Sequence, residues 1–113
     1  EDFWPLLTQA RPNTIMAQRF IIVMLKTYYL VEPYVEQVFA YLQKVKPGDY
    51  YIDMAIAWTL AEMVAKDAEQ ALKFLKVKGA FSEDIMRYFI QKCRDSRRIS
   101  PEKVEEIGHY VKK

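Results

Sequence analysis

Chemistry in this sequence has to come from cations and aromatic rings, because the common catalytic groups are sparse. There is one His, His109, and one Cys, Cys93, in 113 residues. His109 lies in a charged terminal segment, where an exposed structural role is expected. Cys93 has no Cys or His at metal-ligand spacing and reads as a small buried residue. No Gly-rich phosphate loop occurs. The residues therefore call for no metal and no cofactor. Asp53, Glu62, Asp67, Glu69 and Asp95 fall where helix caps and surface pairs explain them. Asp53 is the odd one: it turns toward an apolar face, though in a first helical turn where free N–H groups favour a carboxylate. Nothing here forms an active site unaided.

What remains is a set of cations and rings that could serve one ligand only if separate helices bring them together. Arg19 and Lys26 are seven residues apart, two turns along a single line of a helix. Trp58 stands among Ala55, Ala57 and Ala61, with Tyr51 on the same side of its helix. Lys92, Arg94, Arg97 and Arg98 follow in a short run. Cations interleaved with aromatic faces suit a phosphate backbone and stacked bases. A solvated charged face is the plainer reading. The run at Lys92–Arg98 also complements a helix C-terminus, so part of it is ordinary dipole compensation.

The elements that would position these residues are helices throughout. Asn13 is a candidate N-cap for "TIMAQRFIIVMLKTYYL". Pro33 suits the first turn of "PYVEQVFAYLQKV". "KPGD" breaks the chain before a long helix from about Asp49 to Lys66. Asp67 with Gln70 reads as a capping box and Gly79 as a stop. Ser82 caps the next helix, and Ser100 with Pro101 opens the last. "DFWPLLTQ" is the end of a helix or a short turn.

These helices echo one another. "EQVFAYLQ" matches "EQALKFLK", "QRFIIVML" matches "DMAIAWTL", and "MAIAW" matches "YFIQK", at offsets of 33 to 35 residues. That period, with each unit a helical hairpin, is the signature of an α-solenoid, an all-α superhelix. The tetratricopeptide pattern of small and aromatic positions is missing, so HEAT-like or armadillo-like pairs fit better. In this register Arg19, Trp58 and Lys92 fall on one stripe across three stacked helices, with Lys26, Tyr51 and Tyr88 near it. A helical wheel of the Asp49–Lys66 segment gives an apolar face of Ile56, Ala57, Leu60, Met63 and Val64, with Thr59, Glu62 and Lys66 opposite. Trp58 falls at the border of the two. A place in the core and a place on an open face both stay open at that point.

Composition sets the outer bounds. The chain is 51% hydrophobic and 28% charged, with 3 Gly and 5 Pro, so it is a packed helical chain rather than a disordered tail. Its net charge of +2 is weak evidence for nucleic acid unless the cations share a face. No apolar run approaches the ~18 to 20 residues that span a membrane, so no membrane partner is expected. A lone cysteine and an acidic start point to a reducing, cytoplasmic setting. The start "EDFWPLL" also lacks Met and reads as the beginning of a portion of something longer.

"YYIDMAIAWTLAE" and "IQKCRDSRRIS" resemble the bacterial DNA alkylation repair glycosylases of the AlkD-like group, built from HEAT-like repeats, and "QRFIIVMLKTYYL" fits the preceding repeat. The "YY-x-x-MA-x-AW-x-L" pattern carries most of the likeness, which extends from about Ile15 to Ser100. The resemblance implies that residues 1–113 are the C-terminal repeats, as a single domain, of a larger DNA repair enzyme. It implies a double-stranded DNA partner bearing alkylated bases, held on a concave basic surface, and hydrolysis of the N-glycosidic bond of alkylated purines. Arg19 then matches a DNA-contacting arginine, Trp58 an aromatic residue beside the lesion, and Lys92 a basic position of the last repeat. By the same reading Trp58 would stabilise the cationic sugar through its ring face. The catalytic carboxylate belongs to a Trp- and Asp-containing helix ahead of these repeats, and "EDFWPLL" lacks that motif. Two other readings are a non-enzymatic helical-repeat scaffold for DNA or a protein, and a catalytically silent relative that recognises unusual DNA shapes. A stack open at its first repeat also exposes an apolar end face, which invites self-association.

Overall fold

Five of the helices begin where a short polar side chain satisfies a free N–H group of the first turn. In the computed structural model, which describes residues 3–75 and 81–111, α1 spans Phe3–Thr8 and α2 Ile15–Tyr28. Thr14, not Asn13, caps α2: its Oγ1 accepts from the Ala17 N–H at 3.0 Å, and Asn13 lies one residue too early to reach. α3 spans Val35–Lys44, so Pro33 sits in the preceding turn, outside the helix, after a cis Glu32–Pro33 bond. α4, Tyr50–Lys66, is capped by Asp49, whose Oδ1 accepts from the Tyr51 and Ile52 N–H groups.

α5 spans Ala68–Leu75 and carries half of the expected capping box. Asp67 accepts from the Gln70 N–H at 3.2 Å, but the Gln70 side chain donates to Glu32 at 2.6 Å instead of turning back. The Gly79 stop lies outside the described residues. α6, Glu83–Asp95, starts on Ser82, and α7, Pro101–Val111, starts on Ser100 with Pro101 in its first position. Among the described residues the chain is all-helical, with no strand.

The packing order places α4 at the centre. It lies between α2 and α6, with α5 also against it, while α7 packs on both α6 and α5. The core runs through Ile22 and Leu25, Val38 and Leu42, Ile56 and Leu60, then Phe89 and Ile107. Phe39 stacks on Phe74 and meets Phe81 edge-on, tying α3 to α5 and to the start of α6. α1 is held by Trp4, whose ring lies 5.2 Å from that of Tyr29 and 4.8 Å from that of Tyr34.

Enclosure of α4 overturns part of the wheel. Thr59, expected on the polar side, is fully buried, and Ala55 and Ala61 are buried too. A wheel assumes one covered face, whereas α4 is covered by neighbours on several. Thr59 tolerates burial because its hydroxyl donates to the Ala55 carbonyl at 2.8 Å. The alanines matter for the same reason, since small side chains let flanking helices approach closely.

Asp53 is the buried carboxylate of this core. Gly48, held at φ 120°, a conformation glycine adopts without strain, aims its N–H at both Asp53 oxygens at 3.2 Å. Burial raises the Asp53 pKa above its ordinary 3.8; the Gly48 N–H works against this and the Asp84 and Asp49 charges add to it. A raised folded-state pKa means the native protein binds the proton more tightly than the unfolded chain. Stability contributed by Asp53 is therefore full below 3.8 and falls as pH rises through its native pKa. Wild type should gain stability relative to Asp53→Asn as pH drops from 7 toward 3.8, measured by chemical denaturation; a gap that stays flat with pH would exclude a buried, titrating Asp53. Phe89→Ala, at a fully buried position, should cost ~3–5 kcal/mol. Tyr51→Ala, on the open side of α4, should stay within ~0.5 kcal/mol in the same assay.

Candidate functional site

With its flanks occupied, α4 keeps one strip open to solvent. Tyr51, Met54, Trp58, Glu62 and Ala65 follow helical spacing along that strip. Trp58 is 40% exposed, so it fills no core position. The two neighbouring helices each extend a lysine to it. Lys26 of α2 holds its Nζ 4.0 Å from the centre of the indole, and Lys92 of α6 holds its Nζ 5.7 Å from the same point. Both lysines are half-buried, with their ammonium groups at the ring.

The geometry concentrates positive charge. Two ammonium groups 4.0 and 5.7 Å from one centroid are at most 9.7 Å apart, about one screening length at physiological salt. Among the described residues neither has a carboxylate partner. Arg19 is exposed two turns ahead of Lys26 on the same line of α2 and has no ion pair among the described residues. The nearest carboxylate along the strip, Glu62, is already engaged: its Oε1 accepts from Arg98 Nη2 at 2.7 Å.

At the other end of the strip the surface turns aromatic. Tyr51 meets Tyr50 edge-on at 5.5 Å, and Tyr50 meets Tyr88 of α6 at 5.7 Å. Arg87 lies over the Tyr88 ring at 5.5 Å and also pairs with Asp84. Tyr88 is one turn before Lys92, so the rings and the lysines share one line of α6.

Of the residues the sequence singled out, Lys26, Trp58 and Lys92 meet, Tyr51 shares the Trp58 strip, and Arg19 shares the Lys26 line. Their α2 neighbours turn elsewhere: Ile22 and Tyr29 are buried in the core, and the Gln18 amide donates to the Tyr41 hydroxyl at 3.2 Å. Arg94 leaves this face. It lines an open groove of about 610 Å³ between α6 and α7 with Ile90, Val104 and His109. Arg97 is exposed in the turn after α6. Arg98 is the arginine of that run that reaches the α4 strip. Glu62 is one turn beyond Trp58 and 36 residues before Arg98, close to the repeat offset, and that spacing was the available signal.

Other reactive groups are quiet. Cys93 is fully buried, and burial pushes its thiol up to about 12, far from a reactive thiolate. No cluster of three or more His, Cys, Asp or Glu side chains able to hold a metal occurs among the described residues. No helix among them is long and apolar enough to cross a membrane. No protein-family model matches the chain, and no curated protein or solved structure is significantly similar to it.

The field at the ring can be read directly. In a Trp4→Phe background, iodide should quench Trp58 fluorescence more strongly than caesium does. Lys26→Gln and Lys92→Gln should each shrink that preference. Equal quenching by both ions would mean the lysines do not hold their charge at the indole.

Proposed function

We propose that this chain is a set of HEAT-like helical hairpins that binds duplex DNA across the α2, α4 and α6 face, in keeping with its resemblance to alkylation repair glycosylases. One observation carries the reading: an open indole flanked from both sides by lysines that have no acidic partner among the described residues. A phosphate placed there relieves the repulsion between the two ammonium groups and releases counterions from the duplex. The side-by-side order of the first, third and fifth long helices supports stacked hairpins, since that order is what lines a shared surface in such an array.

Trp58 takes a different role from the one the resemblance implies. Lys26 occupies a face of the ring at 4.0 Å, so a cationic base or sugar would have to displace it. Two uncompensated ammonium groups nearby also oppose a developing positive charge. Trp58 is better suited to orient the lysines and to stack against sugar or base edges than to stabilise a sugar cation. Base release on this reading needs the carboxylate that the resemblance assigns to a helix ahead of these repeats. Glu62 is tied to Arg98 and Asp53 is buried. The competing reading, a helical scaffold for an acidic protein, draws on the same cations and rings, and binding of a bare duplex separates the two.

Anisotropy with a labelled duplex tests the proposal. Three to four phosphate contacts give a slope near −3 in log K against log salt, a loss of roughly 60-fold between 50 and 200 mM. Lys26→Ala and Lys92→Ala should each reduce the slope by about one, Glu62→Gln should tighten binding by freeing Arg98, and Arg94→Ala should leave it unchanged. Absence of binding at 25 mM salt, or an Arg94→Ala effect as large as that of Lys26→Ala, would sink it. Intact binding with no release of methylated purines by the whole protein would identify a silent relative.

A further inference from the structure

The two edges of the α2, α4, α6 row are chemically opposite. On the outward side of α6, Asp84, Arg87, Gln91 and Asp95 follow helical spacing and satisfy one another: Asp84 pairs with Arg87 at 2.9 Å and Gln91 donates to Asp95 at 3.1 Å. Such a polar edge ends a helical stack in water. On α2 the corresponding ridge is Met16, Phe20, Met24 and Tyr28, at four-residue spacing. Helical periodicity puts it well round the helix from Lys26, on the side turned away from α4. Met16 is 79% exposed, Phe20 58% and Tyr28 65%. Beside it α1, packed on α2, exposes Phe3 and Leu6, each at 67%.

We propose that a second copy of this chain docks on this edge, ridge against ridge about a two-fold axis. The exposed surface of these six side chains is on the order of 700 Å², close to the ~800 Å² that each partner buries in a standard interface. It exceeds what a monomer leaves open without a use for it. The ridge carries no charge, so nothing on it repels its own copy and nothing selects a differently charged partner. Its methionines are unbranched and repack readily against an identical surface. An isologous contact needs one self-complementary patch, and an amphipathic ridge of this kind meets that condition. The Lys26, Trp58 and Lys92 face lies on another side of α2 and stays open in this dimer, whereas a repeat stacked ahead of α1, as the DNA reading has it, would compete for the same edge.

Sedimentation of the 113-residue chain across 1–200 μM (roughly the span over which a standard interface of modest affinity dissociates) tests it. The expected result is a monomer–dimer equilibrium that is insensitive to salt. Phe20→Glu and Met16→Glu should each weaken it at least tenfold while circular dichroism stays unchanged, and Arg87→Glu on the opposite edge should leave it alone. A chain that remains monomeric at the highest concentration overturns the proposal and hands the ridge to a helix from another source. A dimer untouched by both ridge variants overturns it as well. Salt-sensitive association lost with Lys26→Ala would place the contact on the cationic face instead.

Discussion

Everything on the candidate face follows from how completely α4 is enclosed. A helix covered by α2 on one side, α6 on the other and α5 behind has only one strip left to offer solvent. Small residues make that enclosure possible, because Ala55, Ala57 and Ala61 are buried where the flanking helices come near. Once the flanks are fixed, the side chains at the rims of α2 and α6 have little choice about where to go. Lys26 and Lys92 converge on Trp58 because it is the large group standing in the one gap between their helices. The cation–π contact contributes modestly, on the order of 0.5–1 kcal/mol at a half-open site. It selects a direction for the lysines; packing of the three helices sets the position.

The start of α4 is fixed with comparable care. Asp49 closes two free N–H groups, and Gly48 folds its own N–H over Asp53 one turn in. Burying a carboxylate with one donor shared between its oxygens carries a desolvation cost, visible in the raised pKa. What it secures is the angle at which the chain enters α4, and with it the rotation of the Tyr51–Trp58 strip toward the open side.

Local signals were the legible ones. Helix starts at Ser82, Ser100 and Asp67 could be read because a cap needs only its own first turn, and the same locality explains the one-residue slip from Asn13 to Thr14. Adjacent placement of α2, α4 and α6 followed from the repeat spacing. The wheel was least informative for α4, where burial on several sides erases the contrast that a 3.6-residue period depends on; Thr59 went to the wrong side for that reason. Arg94, Arg97 and Arg98 could not be sorted in advance. They straddle the end of α6, and a helix that stops within the run sends neighbours to unrelated surfaces. Lys26 could be placed near Trp58, but not its 4.0 Å approach to the ring, which depends on the side-chain orientations of two helices that touch in space and are separated by α3 in sequence.

Charge at the ring decides what kind of ligand the face can favour. If Trp58 presented a bare indole, a cationic group would be drawn to it through the quadrupole. Here that attraction is already used by Lys26, and Lys92 adds a second positive charge within 6 Å. An incoming cation meets two like charges and, among the described residues of the strip, no available carboxylate, because Glu62 spends its charge on Arg98. An incoming anion meets the reverse: two donors already gathered at the ring. Among the described residues, that arrangement favours negative over positive charge at the ring. Any chemistry that builds positive charge in the bound partner then requires a carboxylate brought in from elsewhere, close enough to outweigh both lysines.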